Sequence, residues 1–397
     1  MDKPLQAFDI VIVGAGMAGA SLALALSQSQ QDKPLKIALI EAAPLNFGQH
    51  PGFDGRAIAL SAGSEQWLRE QDLWAALAPY ACAIEHIHVS DRGHCGWTKL
   101  DADEYHLSAL GQVIELEHAG REFHRLLAER SVRLFCPSKL VKLEQQQQQV
   151  RITLDDQQSL TARLLIGADG ADSQVALQGG LQQQLHDFAK YAVIANVEAE
   201  QAPAGRAFER FTIDGPLALL PMNGHRWSVV WSVSAAEAQR LQNLAEADFL
   251  AALQRAFGYR AGRFIGLGKR YAYPLVLRYY PRLFNHRLLL LGNAAHSLHP
   301  IAGQGFNLGL RDVACLSTLI EQHWQQGKDI GGHALLDAYQ QSRQADIERT
   351  ILMTSSLASL FAGDDKSMVI PRNLGLMAMR LLPDLKAVLA KQSLGLF

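Results

Sequence analysis

Gly14-Ala15-Gly16-Met17-Ala18-Gly19 places glycine at the first, third and sixth positions of one short stretch. The first permits a tight turn, the second lets backbone amides approach a pyrophosphate, and the third lets a helix pack closely on a strand. That helix start offers unpaired N–H groups and partial positive charge to phosphate oxygens. Glu41 ends the next apolar run, where a carboxylate can accept hydrogen bonds from ribose hydroxyls. An acid there favours an unphosphorylated ribose, and so FAD or NAD over NADP. Two further Gly-rich turns follow apolar runs: Gly167-Ala168-Asp169-Gly170-Ala171-Asp172-Ser173, and Gly292-Asn293-Ala294-Ala295-His296-Ser297-Leu298-His299-Pro300. The second continues through Ile301-Ala302-Gly303-Gln304-Gly305-Phe306-Asn307, aiming the N-terminus of a helix over Phe306–Leu319 at whatever lies before it. A positive helix end would stabilise negative charge at that point. His296 and His299 are three apart, but Pro300 breaks the helix that would align them and no third ligand stands nearby, so no metal is expected.

These turns need elements to hold them. Phe8–Val13 predicts a central parallel strand, Ala18–Ser27 a helix rich in Ala and Leu, and Lys36–Ile40 a second strand. Together they make one βαβ unit. Arg163–Ile166 and Arg287–Leu291 repeat the continuous apolar style, and Arg121–Arg130 predicts an amphipathic helix. Leu140–Leu143 and Val150–Leu154 predict a hairpin whose surface loop is the run Gln145–Gln149. Strand-like runs at Ala192–Val197, Phe208–Thr212, Ala218–Pro221, Trp227–Val233 and Tyr271–Val276, with one helical insert over Ala245–Phe257, predict a second domain built on a sheet. Phe208, Phe211 and Trp227–Trp231 are expected in its core. The adjacent charges Glu209 and Arg210 are expected on a solvated face, with no catalytic part. The tail from about Leu335 reads as helical, with Leu and Met spaced to bury one face.

Composition narrows the classes. A chain of 397 residues suits about two to three domains with ample core. Its 37 basic and 39 acidic residues leave a net charge of −2, without the basic footprint of a nucleic-acid binder. Cys82, Cys95, Cys136 and Cys315 lie far apart with no CxxC, which excludes zinc ribbons and disulfide scaffolds and fits a reducing compartment. Ile10–Val13 is too short for a signal-peptide core, and no run reaches transmembrane length, so neither is expected.

Taken together, the motifs resemble those of the group A flavoprotein aromatic hydroxylases, which share the para-hydroxybenzoate hydroxylase fold. Gly167–Ser173 is similar to their DG motif, and Gly292–Pro300 to their GD motif, with Asn293 where most members carry Asp. Asn can still accept one hydrogen bond and donate another. Four segments resemble the ubiquinone-biosynthesis branch: Pro51-Gly52-Phe53-Asp54-Gly55-Arg56-Ala57-Ile58-Ala59-Leu60, Ser90-Asp91-Arg92-Gly93-His94, Phe208-Glu209-Arg210-Phe211-Thr212 with Gly215-Pro216-Leu217-Ala218, and His299 through Gly309 to Asp312. The likeness spans about residues 8–397.

The resemblance implies an α/β fold with three parts. A Rossmann-like FAD-binding domain would come from residues 1–70, 100–180 and 280–335, a β-sheet substrate domain from 71–99 and 181–279, and a helical C-terminal region from 336–397. It implies FAD as cofactor, NAD(P)H and O2 as co-substrates, and hydroxylation of a 2-polyprenyl-6-methoxyphenol para to its hydroxyl in ubiquinone biosynthesis. Gly14, Gly16, Gly19 and Glu41 would hold the adenosine half, and Arg56 would lie near the pyrophosphate or flavin. Asp169 and Gly170 would support the dinucleotide fold and NAD(P)H binding, and Asn293 would meet the ribityl or ribose. Pro300, Gly303, Gln304, Gly305, Phe306 and Asn307 would line the isoalloxazine. Ala176 stands where the DG motif often ends in a basic residue, so no nicotinamide-phosphate contact is assigned there. No general base for the phenol is assignable from the sequence. The isoprenoid tail is expected to leave between the substrate sheet and Leu357–Leu396, towards a membrane surface or a ubiquinone-biosynthesis protein complex. A cytoplasmic place, with peripheral contact at the inner membrane as an option, follows from the same likeness. Hydroxylation at another ring position or of a soluble phenol, flavin reduction without oxygen insertion, and a flavin-bearing structural subunit stay open as alternatives.

Overall fold

The apolar run Gln6–Val13 forms strand β1, and its last four residues are buried, as a parallel strand covered on both faces requires. Helix α1 (Met17–Gln28) buries its Ala and Leu residues, and β2 (Ile37–Ile40) is buried along its whole length. The structure is a computed structural model describing residues 5–28, 34–45, 55–298, 303–360 and 366–395. After β2 come β3 (Ala57–Ser61), α2 (Ala62–Glu70), α3 (Trp74–Leu77), β4 (Cys82–Ile84), β5 (His86–Asp91), β6 (Trp97–Asp101) and β7 (Gly111–Glu115). Then follow α4 (Leu116–Ala128), β8 (Val132–Phe135), the hairpin β9 (Leu140–Gln145) and β10 (Val150–Leu154), β11 (Ser159–Gly167) and α5 (Gln174–Gln178). The chain continues through β12 (Gln184–Ala199), β13 (Arg206–Phe211), β14 (Pro216–Pro221), β15 (Arg226–Val233), α6 (Ala235–Asn243), α7 (Glu246–Phe257) and β16 (Phe264–Tyr279). The last elements are β17 (Phe284–Asn285), β18 (Leu288–Leu290), β19 (His296–Ser297), α8 (Gln304–Gln325), α9 (His333–Leu360), α10 (Lys366–Leu381) and α11 (Pro383–Leu394).

Three sheets result. The first runs β17-β18-β11-β1-β2-β8, with the β9–β10 hairpin attached to β11. Its strands from β18 to β8 are parallel, and the register sets Val13 beside Gly167 and Ile40, and Gly167 beside Leu290. The second runs β19-β16-β12-β15-β14-β13-β5-β6, antiparallel except where β13 meets β5. One face of it packs Phe208, Leu217, Trp227 and Trp231 against Leu241, Phe249 and Leu253 of α6 and α7, so these aromatics are core as expected. The third sheet, β3-β7-β4, lies between the other two: its Val113 packs with Ala207 of β13 and with Ala390 and Leu394 of α11. Asn373 fixes α10 to the second sheet, its Nδ2 donating to Asp91 Oδ2 at 2.8 Å while its Oδ1 accepts Gly96 N–H at 2.7 Å.

Three local expectations are corrected. The helix expected over Ala245–Phe257 is α7, but it is not the single insert: Ser234 caps a preceding helix α6, its Oγ accepting Glu237 N–H at 3.2 Å, and the extended Leu244 and Ala245 separate α6 from α7. Arg287 does not begin β18. It sits at φ +54 in the preceding turn, with its guanidinium on Asp329. Glu209 and Arg210 do not share a solvated face: Glu209 Oε1 and Arg210 Nε are both sealed from solvent without a hydrogen-bond partner.

The packing of α1 on β1 gives a test. A Cβ on Gly19 would stand 2.0 Å from the Gly14 carbonyl oxygen. Backbone cannot yield to that contact, so Gly19→Ala is expected to cost about 2 kcal/mol or more, read as a lower denaturant midpoint at unchanged slope.

Candidate active site

Hydrogen bonds tie the Gly-rich turns together at one edge of the parallel sheet. Gly14 N–H donates to Ile40 O at 2.7 Å, Ala168 N–H to Val13 O at 2.8 Å, and Leu291 N–H to Gly167 O at 3.0 Å. This edge is the C-terminal end of the strands, where open α/β sheets bind ligands. Gly14 holds φ +100, and a Cβ there would meet Ala168 O at 2.3 Å, so only glycine fits. A Cβ on Gly16 would meet nothing within 4 Å, which leaves room for a pyrophosphate against the turn. Glu41 is buried, its Oε2 accepting Ala15 N–H and its Oε1 accepting Ala43 N–H, each at 2.8 Å.

The other two turns use their polar residues differently. Asp169 closes its own turn: Oδ1 accepts Ser173 Oγ–H at 2.6 Å, and Oδ2 accepts Gln174 and Val175 N–H at 2.7 and 3.2 Å. Burial pushes its carboxyl pKa up against those hydrogen bonds. Gly170, at φ +85, faces open space. Asn293 is exposed in a single 3-10 turn, Gly292–Ala294.

The start of α8 is braced from below and open in front. Asn307 spends its whole amide on the brace. Its Oδ1 accepts Ser61 N–H at 2.8 Å and Ser64 Oγ–H at 2.7 Å, and its Nδ2 donates to Ala59 O at 2.9 Å and Gly303 O at 2.8 Å. Gln304 Nε2 reaches Ser393 O of α11 at 3.1 Å. No side chain caps α8, and a Cβ on Gly305 would meet nothing within 4 Å. Phe306 packs on the core behind. Pro300, with His299, Ile301 and Ala302, lies outside the described residues. Arg56 stacks its guanidinium 4.9 Å over the Tyr273 ring, and Asn196 Nδ2 donates to Gly55 O at 2.8 Å, joining the second sheet to this edge.

Beneath the turn after β18 lies a buried ion network whose Arg343 and Asp346 the sequence did not single out. Asp312 Oδ2 accepts Gly292 N–H at 3.0 Å and His296 Nε2–H at 2.6 Å, while its Oδ1 accepts Arg343 Nε–H at 2.8 Å. Arg343 and Arg311 both hold Asp346. Burial alone would raise the Asp312 carboxyl, but His296 and Arg343 outweigh it and hold the pKa at about 2. His296 therefore braces a turn. A cleft of about 920 Å³ lined by Ala7, Lys36, Gln147, Arg163 and Arg287 opens at the opposite, N-terminal end of the parallel strands, away from these groups.

The uncapped start of α8, the Gly-rich start of α1, open space at Gly16 and Gly305, and the Glu41 carboxylate fit a dinucleotide that carries a flavin. The family model described as "FAD binding domain" matches residues 7–354. The chain belongs to the family of FAD-dependent monooxygenases. A ubiquinone hydroxylase of Rhodospirillum rubrum is 33% identical over 392 residues, covering 98% of this chain and 89% of that protein. The 3-demethoxyubiquinol 3-hydroxylase of Escherichia coli is 33% identical over 398 residues, covering 98% and 99%. The crystal structure of p-nitrophenol 4-monooxygenase from Pseudomonas putida DLL-E4 superposes with a TM-score of 0.80 at 18% identity over 98% of both chains. The fold is thus the para-hydroxybenzoate hydroxylase type, with an α/β FAD-binding part, a β-sheet substrate part and C-terminal helices.

Two outcomes check the site of this monooxygenase. Because Gly16 faces only open space, Gly16→Ala is expected to leave thermal stability of the apoprotein unchanged while weakening FAD about tenfold or more, read by flavin fluorescence titration. Asp312→Asn leaves the buried Arg343 to share the Asp346 carboxylate with Arg311, at a cost of about 3 kcal/mol. The Asp312 pKa is depressed from 3.8 to about 2, so its stabilisation is complete above the unfolded value and lost as pH falls through the folded one. Acid unfolding of the Asn variant should lack that component.

Proposed function

We propose that this monooxygenase hydroxylates a 2-polyprenyl-6-methoxyphenol para to its hydroxyl during ubiquinone biosynthesis, with NAD(P)H as electron donor and O2 as oxygen source. The observation that carries the reading is end-to-end likeness to ubiquinone-ring hydroxylases at 33% identity, joined to a flavin-type site. When bound, FAD supplies passage of electrons from the nicotinamide and activation of O2. The chain does the rest. Gly14, Gly16, Gly19 and Glu41 would hold the adenosine half, with Arg56, Asp169, Gly170 and Asn293 around the remainder of the dinucleotide. Pro300 and Gly303 to Asn307 would border the isoalloxazine, and the positive end of α8 would offset negative charge on the reduced ring. The second sheet and the C-terminal helices would orient the phenol and exclude water.

The tail has a plausible exit in physical terms. Asn373 and Leu376 of α10 face the second sheet, while Ile370, Leu374, Met377 and Leu381 form an exposed apolar stripe along the neighbouring face of the helix. No helix among the described residues is long and apolar enough to cross a membrane. The stripe supports peripheral contact of a cytoplasmic enzyme with a lipid surface or with a protein that delivers lipid.

A second reading, hydroxylation at another ring position, is favoured by the name of the Escherichia coli relative, which is equally similar. Mass spectrometry of quinone precursors in a strain lacking this protein separates the two. Accumulation of 2-polyprenyl-6-methoxyphenol with loss of ubiquinone is the expected result. A demethoxyubiquinol in its place would move the reaction to the other position, and undiminished ubiquinone would sink both readings.

A further inference from the structure

On β13, residues Ala207, Glu209 and Phe211 point away from α6 and α7, since alternate residues of a strand share a face. Ala207 packs in the cluster containing Val113, Ala390 and Leu394, and Phe211 in a separate cluster with Leu376 of α10. Glu209 stands between the two and belongs to neither. Its Oε1 is sealed from solvent without a hydrogen-bond partner, while the residue as a whole keeps accessible area. Those two facts describe a carboxylate with one oxygen packed against the sheet and the rest of its side chain still within reach of solvent. Its cross-strand neighbours, Val89 and Ala218, are apolar and offer no donor.

Other partnerless oxygens share this face. Thr98 Oγ1 lies in the same row beyond Val89, and Ser228 Oγ and Asn196 Oδ1 pair in the next row. On the opposite face the partnerless atoms are donors: the indole N–H of Trp227 and of Trp231, and Arg210 Nε. Groups able to accept a hydrogen bond therefore gather on one side, the two hydroxyls among them also able to donate. That side adjoins the start of α8 through β3. Ala59 gives its carbonyl to Asn307, a Cβ on Gly303 would lie 3.1 Å from the Ala59 Cβ, and Ala57 and Ala59 pack in the Ala207 cluster. The sealed oxygen costs stability by lacking a donor, and the accessible part of the same side chain is where a ligand's donor would reach the carboxylate.

We propose that Glu209 accepts the phenol O–H of the substrate and takes its proton as the ring is attacked para to that hydroxyl. The proposal rests on the phenol-hydroxylase reading above. The O–H bond breaks, and its electron pair stays on oxygen and moves into the ring, forming a dienone carbonyl. O2 supplies one oxygen atom to the ring, NAD(P)H supplies two electrons, and the second oxygen atom leaves as water. The attacked carbon then loses its hydrogen as a proton to solvent. Glu209 returns its proton to the carbonyl oxygen, restoring both the aromatic ring and the carboxylate.

Electrostatics suit this role. Burial pushes the Glu209 carboxyl from 4.5 up to about 7, with no neighbouring charge contributing. A base with that pKa is matched to neutral working pH. The titratable and charged groups sharing the face are Asp91 of β5, which Asn373 holds, Tyr271 and Tyr273 of β16, the latter under Arg56, and Glu198 of β12 with Arg226 of β15, the latter paired to Glu115 of β7. From the covering helices, Leu357, Asn373, Leu376, Ala390 and Leu394 face inward.

The test uses the FAD-loaded full chain, Glu209→Gln and Glu209→Asp, with a short-chain 6-methoxyphenol as substrate. Glu209→Gln should keep its FAD and reduce it with NAD(P)H at the wild-type rate, yet lose about 10²-fold or more in hydroxylation kcat. Its kcat/KM should lose the acid limb near pH 7 that the wild type shows, and Glu209→Asp should recover part of the rate. Hydroxylation by Glu209→Gln within threefold of wild type, with the limb intact, overturns the proposal. A second arm needs no turnover. Binding of 2-methoxy-4-nitrophenol at pH 8 should take up about one proton in the wild type, where carboxylate and phenolate share it, and about none in Glu209→Gln. Equal uptake, or no phenol binding by the wild type, overturns the proposal. Absence of hydroxylation by the wild type with unequal uptake instead overturns the functional reading and leaves Glu209 as a phenol-binding carboxylate. Folding of the variant is checked by its melting temperature. The raised folded pKa destabilises the wild type as pH climbs from 4.5 through about 7, so Glu209→Gln should melt higher than wild type at pH 8 and not at pH 4.

Discussion

Slip β1 by one residue against β11 and Val13 would turn to the other face, Gly14 would leave the Ala168 carbonyl, and its bond to Ile40 would break. The glycine turn, the Asp169 turn and the Gly292 turn all start from Val13, Gly167 and Leu290, which stand in register on adjacent parallel strands. Their backbone hydrogen bonds determine where each turn begins, and burial of both sheet faces fixes that register. Glu41 then locks the arrangement from the side, because β2 delivers its carboxylate to Ala15 N–H. The cofactor site is thus a consequence of strand alignment, with side chains adding little beyond one acid and the absence of Cβ atoms where the chain must approach closely.

Two buried carboxylates show how surroundings divide structural from chemical work. Asp312 has a full set of donors in Gly292, His296 and Arg343, is held at about 2, and stays charged at every working pH. Its use is to hold the turn after β18 against α8. Glu209 has no partner on its sealed oxygen and is pushed up to about 7 by desolvation. The first carboxylate stabilises the fold, and the second costs stability that a ligand's donor can return. Apart by only one methylene in chemistry, the two differ by their neighbours.

Local, steric features were legible in the sequence. The roles of Gly14, Gly16 and Gly19 follow from backbone geometry within six residues, and the structure places a tight turn, an open space and a close helix contact at those positions. Glu41 was legible for the same reason, as the end of a short strand next to the turn. Contacts across long separations were not. Arg343 lies 31 residues from Asp312, and the Ser393 carbonyl 89 from Gln304, with no spacing rule to join them. The Ser234–Glu237 cap did carry a signal, a serine three before a glutamate, which would have announced α6 ahead of the expected insert. Glu209 and Arg210 were misread for a geometric reason. Consecutive strand residues face opposite sides, so in a sheet covered on both faces two adjacent charges cannot share a solvated surface. One of them had to enter the interior on the side of the cofactor edge.

The C-terminal helices link water exclusion to the lipid character of the proposed substrate. α10 keeps Asn373 and Leu376 against the sheet beside Phe211, close to where Glu209 interrupts the apolar lining, and turns Ile370, Leu374, Met377 and Leu381 outward. α11 meets the start of α8 through Ser393 and the third sheet through Ala390 and Leu394. The same elements thus cover this face of the second sheet and carry the exposed apolar stripe. An oxygen-transfer site must keep water from its reactive ring, and a prenyl tail needs an apolar path from ring to lipid. A lid whose inner side touches the substrate sheet and whose outer side is hydrocarbon satisfies both demands with one pair of helices.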